Sequence, residues 1–277
     1  MRSARSTWPK KLPGKVLEMN DTENISSEER PRCPHCMFGL IVTGKGERDF
    51  LPSLFGYLME RAGCSFRVIG RIGQRSPITS PARILVMVGT GKIIPDSDEE
   101  MIGLPARRFL RNQACHFVIL IDDVEAARRP IIAQVFQRYR AALDTMLQPE
   151  EQVRASVHFF ANMLEAYYFA HSAAVNRALG TTILWADHDG DVEIIGHPKG
   201  DLKNLFPGFD EREHGASIVA LLNLEHILGN PNTCAYLRSL LDWCVRQLQT
   251  NCQIWDSNLG QCFQLQGGNR EHLTSNQ

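Results

Sequence analysis

The chain contains no apolar run long enough to cross a membrane, and the basic residues near its start are not followed by a hydrophobic leader core. Neither a membrane span nor a secretory signal is expected, and the expected location is the cytoplasm. Net charge is almost lacking: 30 Lys and Arg against 31 Asp and Glu leave −1. No general polyanion coat is implied, although a local basic face would still permit nucleic-acid binding. Cysteine is thin for the length, eight among 277 residues, which excludes a disulfide-stapled miniprotein. Cys64, Cys115, Cys234 and Cys244 sit among apolar neighbours and read as reduced, buried thiols. A Walker A sequence is missing. There is no internal repeat.

What is present is ordinary in bulk, 43% hydrophobic and 22% charged, and a chain of this length buries roughly three-quarters of its unfolded surface. Residues 1–36 read as a flexible arm, basic at first (Arg2, Arg5, Lys10, Lys11, Lys15) and then acidic (Glu23, Glu28, Glu29), with little to bury. Residues 37–180 read as an α/β domain, 181–250 as a hairpin and helical extension completing it, and 251–277 as a polar tail.

Short apolar runs at Phe38 to Val42, Phe66 to Ile69, Ile84 to Val88, Phe117 to Ile121 and Ser156 to Phe160 predict strands. Between them, helical spacing runs from Phe50 to Met59, from Glu99 to Asn112 with a break near Pro105, and from Ile131 to Met146. Strands alternating with helices predict a mostly parallel sheet flanked by helices. A helix is expected over Asn162 to Ala170. An Asp-Gly hairpin is expected between Ile183 to Trp185 and Val192 to Ile195, then a loop-rich connector from Pro198 to Pro207. Amphipathic helices are expected over Ala216 to Leu228 and Cys234 to Leu248.

Two of the strands run out into acidic loops. Ile41-Val42-Thr43-Gly44-Lys45-Gly46-Glu47-Arg48-Asp49 is one, and Phe117 to Ile121 followed by Asp122-Asp123-Val124-Glu125 is the other. Carboxylates are hard oxygen ligands, and a parallel sheet presents its carboxyl edge as the place where they converge, which points to Mg²⁺ or Mn²⁺. Glu47 and Asp49 equally fit residues that complement a helix dipole, Asp122 fits a helix cap, and Glu165 fits a buried acid paired with a base. Cys33-Pro34-His35-Cys36 has the spacing of half a zinc site without its second half, and reads as incidental unless two chains of a homodimer share one ion. Gly89-Thr90-Gly91-Lys92 reads as a turn.

In serial order, the Gly44-Lys45-Gly46-Glu47 loop, Asp122-Asp123-Val124-Glu125, Met163-Leu164-Glu165-Ala166-Tyr167-Tyr168-Phe169-Ala170, His197-Pro198-Lys199-Gly200-Asp201-Leu202-Lys203 and His214-Gly215-Ala216-Ser217-Ile218 resemble a TOPRIM-like family, domain of unknown function 4276. The resemblance runs from about Leu40 to Leu248. It implies a TOPRIM/Rossmann-like α/β fold with a C-terminal helical part, and Mg²⁺-dependent phosphodiester chemistry. A glutamate after the first strand would serve as acid/base, and an acidic pair after a later strand would hold the metal. It also implies an ABC-type ATPase partner in anti-phage defence. Thr43 stands where that family places the first glutamate, and Asp-Asp-Val-Glu replaces its Asp-x-Asp.

The expected function is therefore a Mg²⁺-dependent nuclease acting on DNA or RNA. Glu47, Asp123 and Glu165 are the catalytic candidates. Asp122, Asp123, Glu125 and Glu47 are the metal-ligand candidates, and Lys45, Lys199, Lys203 and His214 the candidates for substrate phosphate. The alternative is a TOPRIM-fold scaffold or regulator of an ATPase that has lost catalysis, with Thr43 as its supporting feature.

Overall fold

The computed structural model describes residues 32–72, 97–181, 186–261 and 263–264. Four strands, β1 (Cys36–Val42), β2 (Cys64–Arg71), β3 (His116–Val124) and β4 (Ala155–Ala161), form one sheet in the order β2-β1-β3-β4, with every pairing parallel. The protein is thus an α/β, Rossmann-like fold, as the alternation of elements predicts. The inner strands are apolar on both faces because helices cover both. On β3, Phe117, Ile119 and Ile121 enter one core while Val118, Leu120 and Val124 enter the other.

The first face is covered by α1 (Lys45–Leu54), α2 (Gly56–Arg61), α8 (Glu211–Leu221) and α10 (Ala235–Asn251). Its centre is a stack of aromatic rings, Phe55 on Phe66 at 4.1 Å and Phe66 on Phe38 at 4.6 Å between centroids. The second face is covered by α3 (Leu104–Leu110) and α4 (Ile132–Met146), whose residues Ile132, Val135, Phe136, Tyr139 and Leu143 carry the predicted spacing inward. Before α3, Glu99–Gly103 is a π-turn, so the break in this helical stretch falls at Gly103 and Leu104, with Pro105 in the first turn of α3.

Several expectations need correction. Leu164–Ala170 is a 3₁₀ helix rather than an α-helix. Val192–Ile194 is a 3₁₀ turn, not the second arm of a hairpin: Asp191 caps it, and buried Glu193 receives the N–H groups of Tyr236 and Leu237 at the start of α10. The stretch after Pro198 is no loop but α7 (Pro198–Leu205), with Pro198 at its first position and Leu202 buried. The next expected helix begins earlier, as α8, and ends in a separate turn, α9 (Leu224–Ile227). β1 starts inside the range expected for the arm, and Cys33 already forms an isolated β-bridge with Cys252.

The cysteines correct the expectation of free thiols throughout. Cys33 and Cys115 form a disulfide at the amino ends of β1 and β3, while Cys64, Cys234 and Cys244 are free and buried. Cys33 is thereby taken from the half zinc site with Cys36. The expected strand at Ile84 to Val88, the turn at Gly89 to Lys92, the arm up to residue 31, the strand at Ile183 to Trp185 and most of the polar tail lie outside the described residues. Among the described residues, no helix is long and apolar enough to cross a membrane.

Candidate active site

Four carboxylates from four separate segments meet at the carboxyl edge of the sheet. Glu47 lies in the first turn of α1, just past the end of β1, and Gly44 N–H donates to its carboxylate. It therefore does act as a helix cap, yet it also lies within hydrogen-bonding reach of Asp123, at the end of β3. Glu165 enters from the turn after β4. Asn162 and Met163 take φ of 60° and 104° there, a sharp exit that an Asn tolerates and that Asn162 Nδ2 anchors on Glu193 O at 3.0 Å. Glu211 opens α8, which packs on α1. A Cβ on Gly46 would collide with Glu211 Oε1, so glycine permits that approach.

The electrostatics are those of an acidic cluster short of cations. Burial raises the Asp123 carboxyl well above the ordinary value, and Glu47 and Glu165 beside it raise it further. Burial raises Glu47 as well, against the opposing hydrogen bonds from Asp123 and Gly44. Two carboxyls in such contact share a proton when no cation separates them. Glu165 is raised by burial and partly held down by Lys199, whose Nζ lies 3.7 Å from Glu165 Oε1 and hydrogen-bonds Glu211. Burial works against the Lys199 charge, but the Glu211 hydrogen bond and Glu165 hold its pKa above the usual value. Tyr168 sits in the middle: burial, then Glu165, Glu211, Asp123 and Glu47, push its phenol well above the ordinary range.

Asp122, next in sequence, behaves differently. Alternation along β3 sends it to the opposite face from Asp123, where Arg128 Nη2 donates to its Oδ2 at 2.7 Å and Tyr139 OH donates at 2.9 Å. Arg128 Nη1 also donates to Asp123 O at 2.7 Å, fixing the strand end. The expected ligand role of Asp122 thus gives way to a structural ion pair. Glu125 is exposed beyond the strand and starts the 3₁₀ segment Ala126–Ile131 rather than joining the cluster. Lys203 is exposed one turn along α7 from Lys199, and His214 is engaged by Asp210 and packed on Phe206 and Phe209. The Lys45 side chain lies outside what the structure describes.

The structure brings together Glu47, Asp123, Glu165 and Lys199 from the sequence-predicted set, and adds Glu211 and Tyr168. Glu211 carries no sequence signal beyond a helix-start acid, since its role depends on α8 docking against α1. Among the described residues, no three His, Cys, Asp or Glu side chains already stand in a metal-gripping arrangement. The donor set nevertheless fits a hard divalent cation: all the donors are oxygens, the negative groups outnumber Lys199, and Asp123 Oδ1 and Thr43 Oγ1 are buried without a hydrogen-bond partner. Glu47, Asp123, Glu165 and Glu211 are the residues that would hold it.

Comparison of the chain with protein-family models, with curated proteins and with solved structures gives no match.

Proposed function

We propose that the protein is a Mg²⁺-dependent phosphodiesterase of TOPRIM-like type, a nuclease acting on DNA or RNA. The observation that carries this reading is the convergence of Glu47, Asp123, Glu165 and Glu211 around a buried Asp123 oxygen without a partner. Mg²⁺ bound there, or Mn²⁺ in its place, would polarise the phosphodiester and offset charge developing on its oxygens. Asp123 would hold the cation. Glu47 takes the proton of the attacking water, the bond from phosphorus to the leaving oxygen breaks and that oxygen takes a proton from solvent, and Lys199 faces the phosphate oxygens. Tyr168, buried among the acids, excludes water and limits their movement. A cytoplasmic protein serving as effector beside a separate ABC-type ATPase in anti-phage defence fits the resemblance in the sequence.

The test is incubation of the full chain with labelled DNA and RNA oligonucleotides in Mg²⁺ or Mn²⁺, compared with EDTA and with Asp123→Asn. Metal-dependent cleavage lost in the variant supports the assignment, and equal cleavage by the variant removes it. The second reading, a TOPRIM-fold scaffold for an ATPase, rests on Thr43 in place of an acid. It predicts no heat of Mg²⁺ binding at millimolar concentration in calorimetry.

A further inference from the structure

Beside the acidic cleft, α1 and edge strand β2 enclose an open groove of about 500 Å³ whose lining includes Arg48, Asp49, Arg67 and Arg71. Its position follows from the sheet. Arg71 pairs in register with Val42, the last residue of β1, so its side chain starts at the same edge from which Glu47 projects. Both helices that supply acids to the site carry an arginine at the next position. On α1, Glu47 is buried and Arg48 is exposed; on α8, Glu211 meets Lys199 and Arg212 is exposed. The hundred-degree step between adjacent helical residues turns the acids inward and the bases outward.

The outward bases share one neighbourhood, because Asp49, fully exposed, has Arg48 hydrogen-bonded to it at 2.8 Å and also feels Arg212 and Arg71. Asp49 offsets one of these charges and exposed Asp210, beside Arg212, part of another, while Arg67 lies over the Phe109 ring, 5.0 Å from its centroid. The remainder is a cationic rim on a chain whose net charge is only −1. The rim borders a carboxylate cluster that would repel a polyanion without such compensation.

We infer that Arg48, Arg71 and Arg212 form the phosphate track along which a nucleic-acid strand enters the carboxylate cleft, while Arg67, held over Phe109 on the other face of the sheet, lies outside it. This rests on the nuclease reading, whose phosphate-facing Lys199 it extends with three arginines. Guanidinium forks match phosphate oxygens in pairs and stay charged at any working pH. A backbone track of this kind positions the strand and carries no base specificity.

The test is fluorescence anisotropy of the full chain with 5′-fluorescein 20-nucleotide poly-dT and poly-rU in EDTA, so that no cleavage is needed. Arg71→Gln/Arg212→Gln should weaken binding about tenfold at 0.1 M salt and lower the slope of log affinity against log salt by about 1.4, about 0.7 for each phosphate left without its arginine. Arg71→Lys/Arg212→Lys should stay within about threefold of the parent. Unchanged affinity and slope in the Gln variant, with its melting temperature intact, would overturn the track. If that variant binds normally and the parent cleaves in Mg²⁺, only the track falls. If binding depends on the arginines and no cleavage occurs, only the proposed catalysis falls.

Discussion

Asp122 and Asp123 are adjacent residues with opposite circumstances. Asp122 faces a guanidinium and a phenol that both donate to one of its oxygens. Asp123 faces other carboxyls, with Lys199 shared between Glu165 and Glu211 rather than given to it. One side of the strand end is a buried ion pair of the kind that maintains structure, and the other keeps buried acids mutually repelling. Natural folds accept that second arrangement mainly where function requires it, so the clustered acids single out the face of Asp123 as the candidate site.

The largest break in this symmetry should come from the two aspartates themselves. Asp123→Asn is expected to lower metal-dependent cleavage by about 10³-fold, about 4 kcal/mol of transition-state stabilisation. It should leave the metal-free protein at pH 8 as stable as the parent or more so, since the amide mimics the protonated acid. Gel-resolved cleavage and thermal melts check both. On the other face, Arg128→Ala leaves Asp122 buried and uncompensated. It should cost about 3 kcal/mol, or about 6–12 °C in melting temperature, read by calorimetry.

A smaller contrast appears with pH and metal. Glu47 and Asp123 have pKa values raised by folding, so the folded chain binds more protons there than the unfolded one. Their favourable contribution is fully present below about pH 4, the unfolded value, and is lost as pH rises through the raised folded values. Metal-free protein should therefore lose stability through this pair between mildly acidic and alkaline pH. Mg²⁺ at 10 mM should raise the melting temperature by about 3–5 °C at pH 8 and by less than about 1 °C at pH 5.5, because the cation must displace the shared proton. In Asp123→Asn both effects should shrink.

The smallest effect is expected at Gly46→Ala. The new methyl displaces the end of the Glu211 side chain and stands 2.9 Å from the buried Phe50 ring, which must also shift, while alanine favours the helix. Stability should fall by about 1 kcal/mol, and cleavage should fall several-fold as Glu211 leaves Lys199. An equal loss of activity and stability would mean that Glu211 is structural.

Residue by residue, the parts of this fold legible in the sequence are those where one short-range rule governs. The apolar runs of β1, β3 and β4 and the three-and-four spacing of α4 point to their elements with only small shifts at the ends. The turn after β4 and the segment at Val192 are less legible. Their conformations are set by Asn162 and Glu193 bonding to residues far along the chain, which local propensity does not register. The same limit hides the Cys33–Cys115 disulfide, which depends on β1 and β3 being neighbours.

The sequence by itself determined that acids follow the first and third described strands, and that Glu165 interrupts an apolar segment. It could not say which acids meet, because Asp122 and Asp123 differ by one residue of strand alternation, and nothing local names the face that α1 and α8 will cover. The tertiary structure decided that. Packing α8 on α1 through Gly46 brought Glu211 to the face of Asp123, where Lys199 of α7 meets it, and on the other face Asp122 found Tyr139 of α4 and Arg128 of the 3₁₀ segment before it. Repulsion among carboxylates acts over a few ångströms of space, and only folding turns separation along the chain into such proximity.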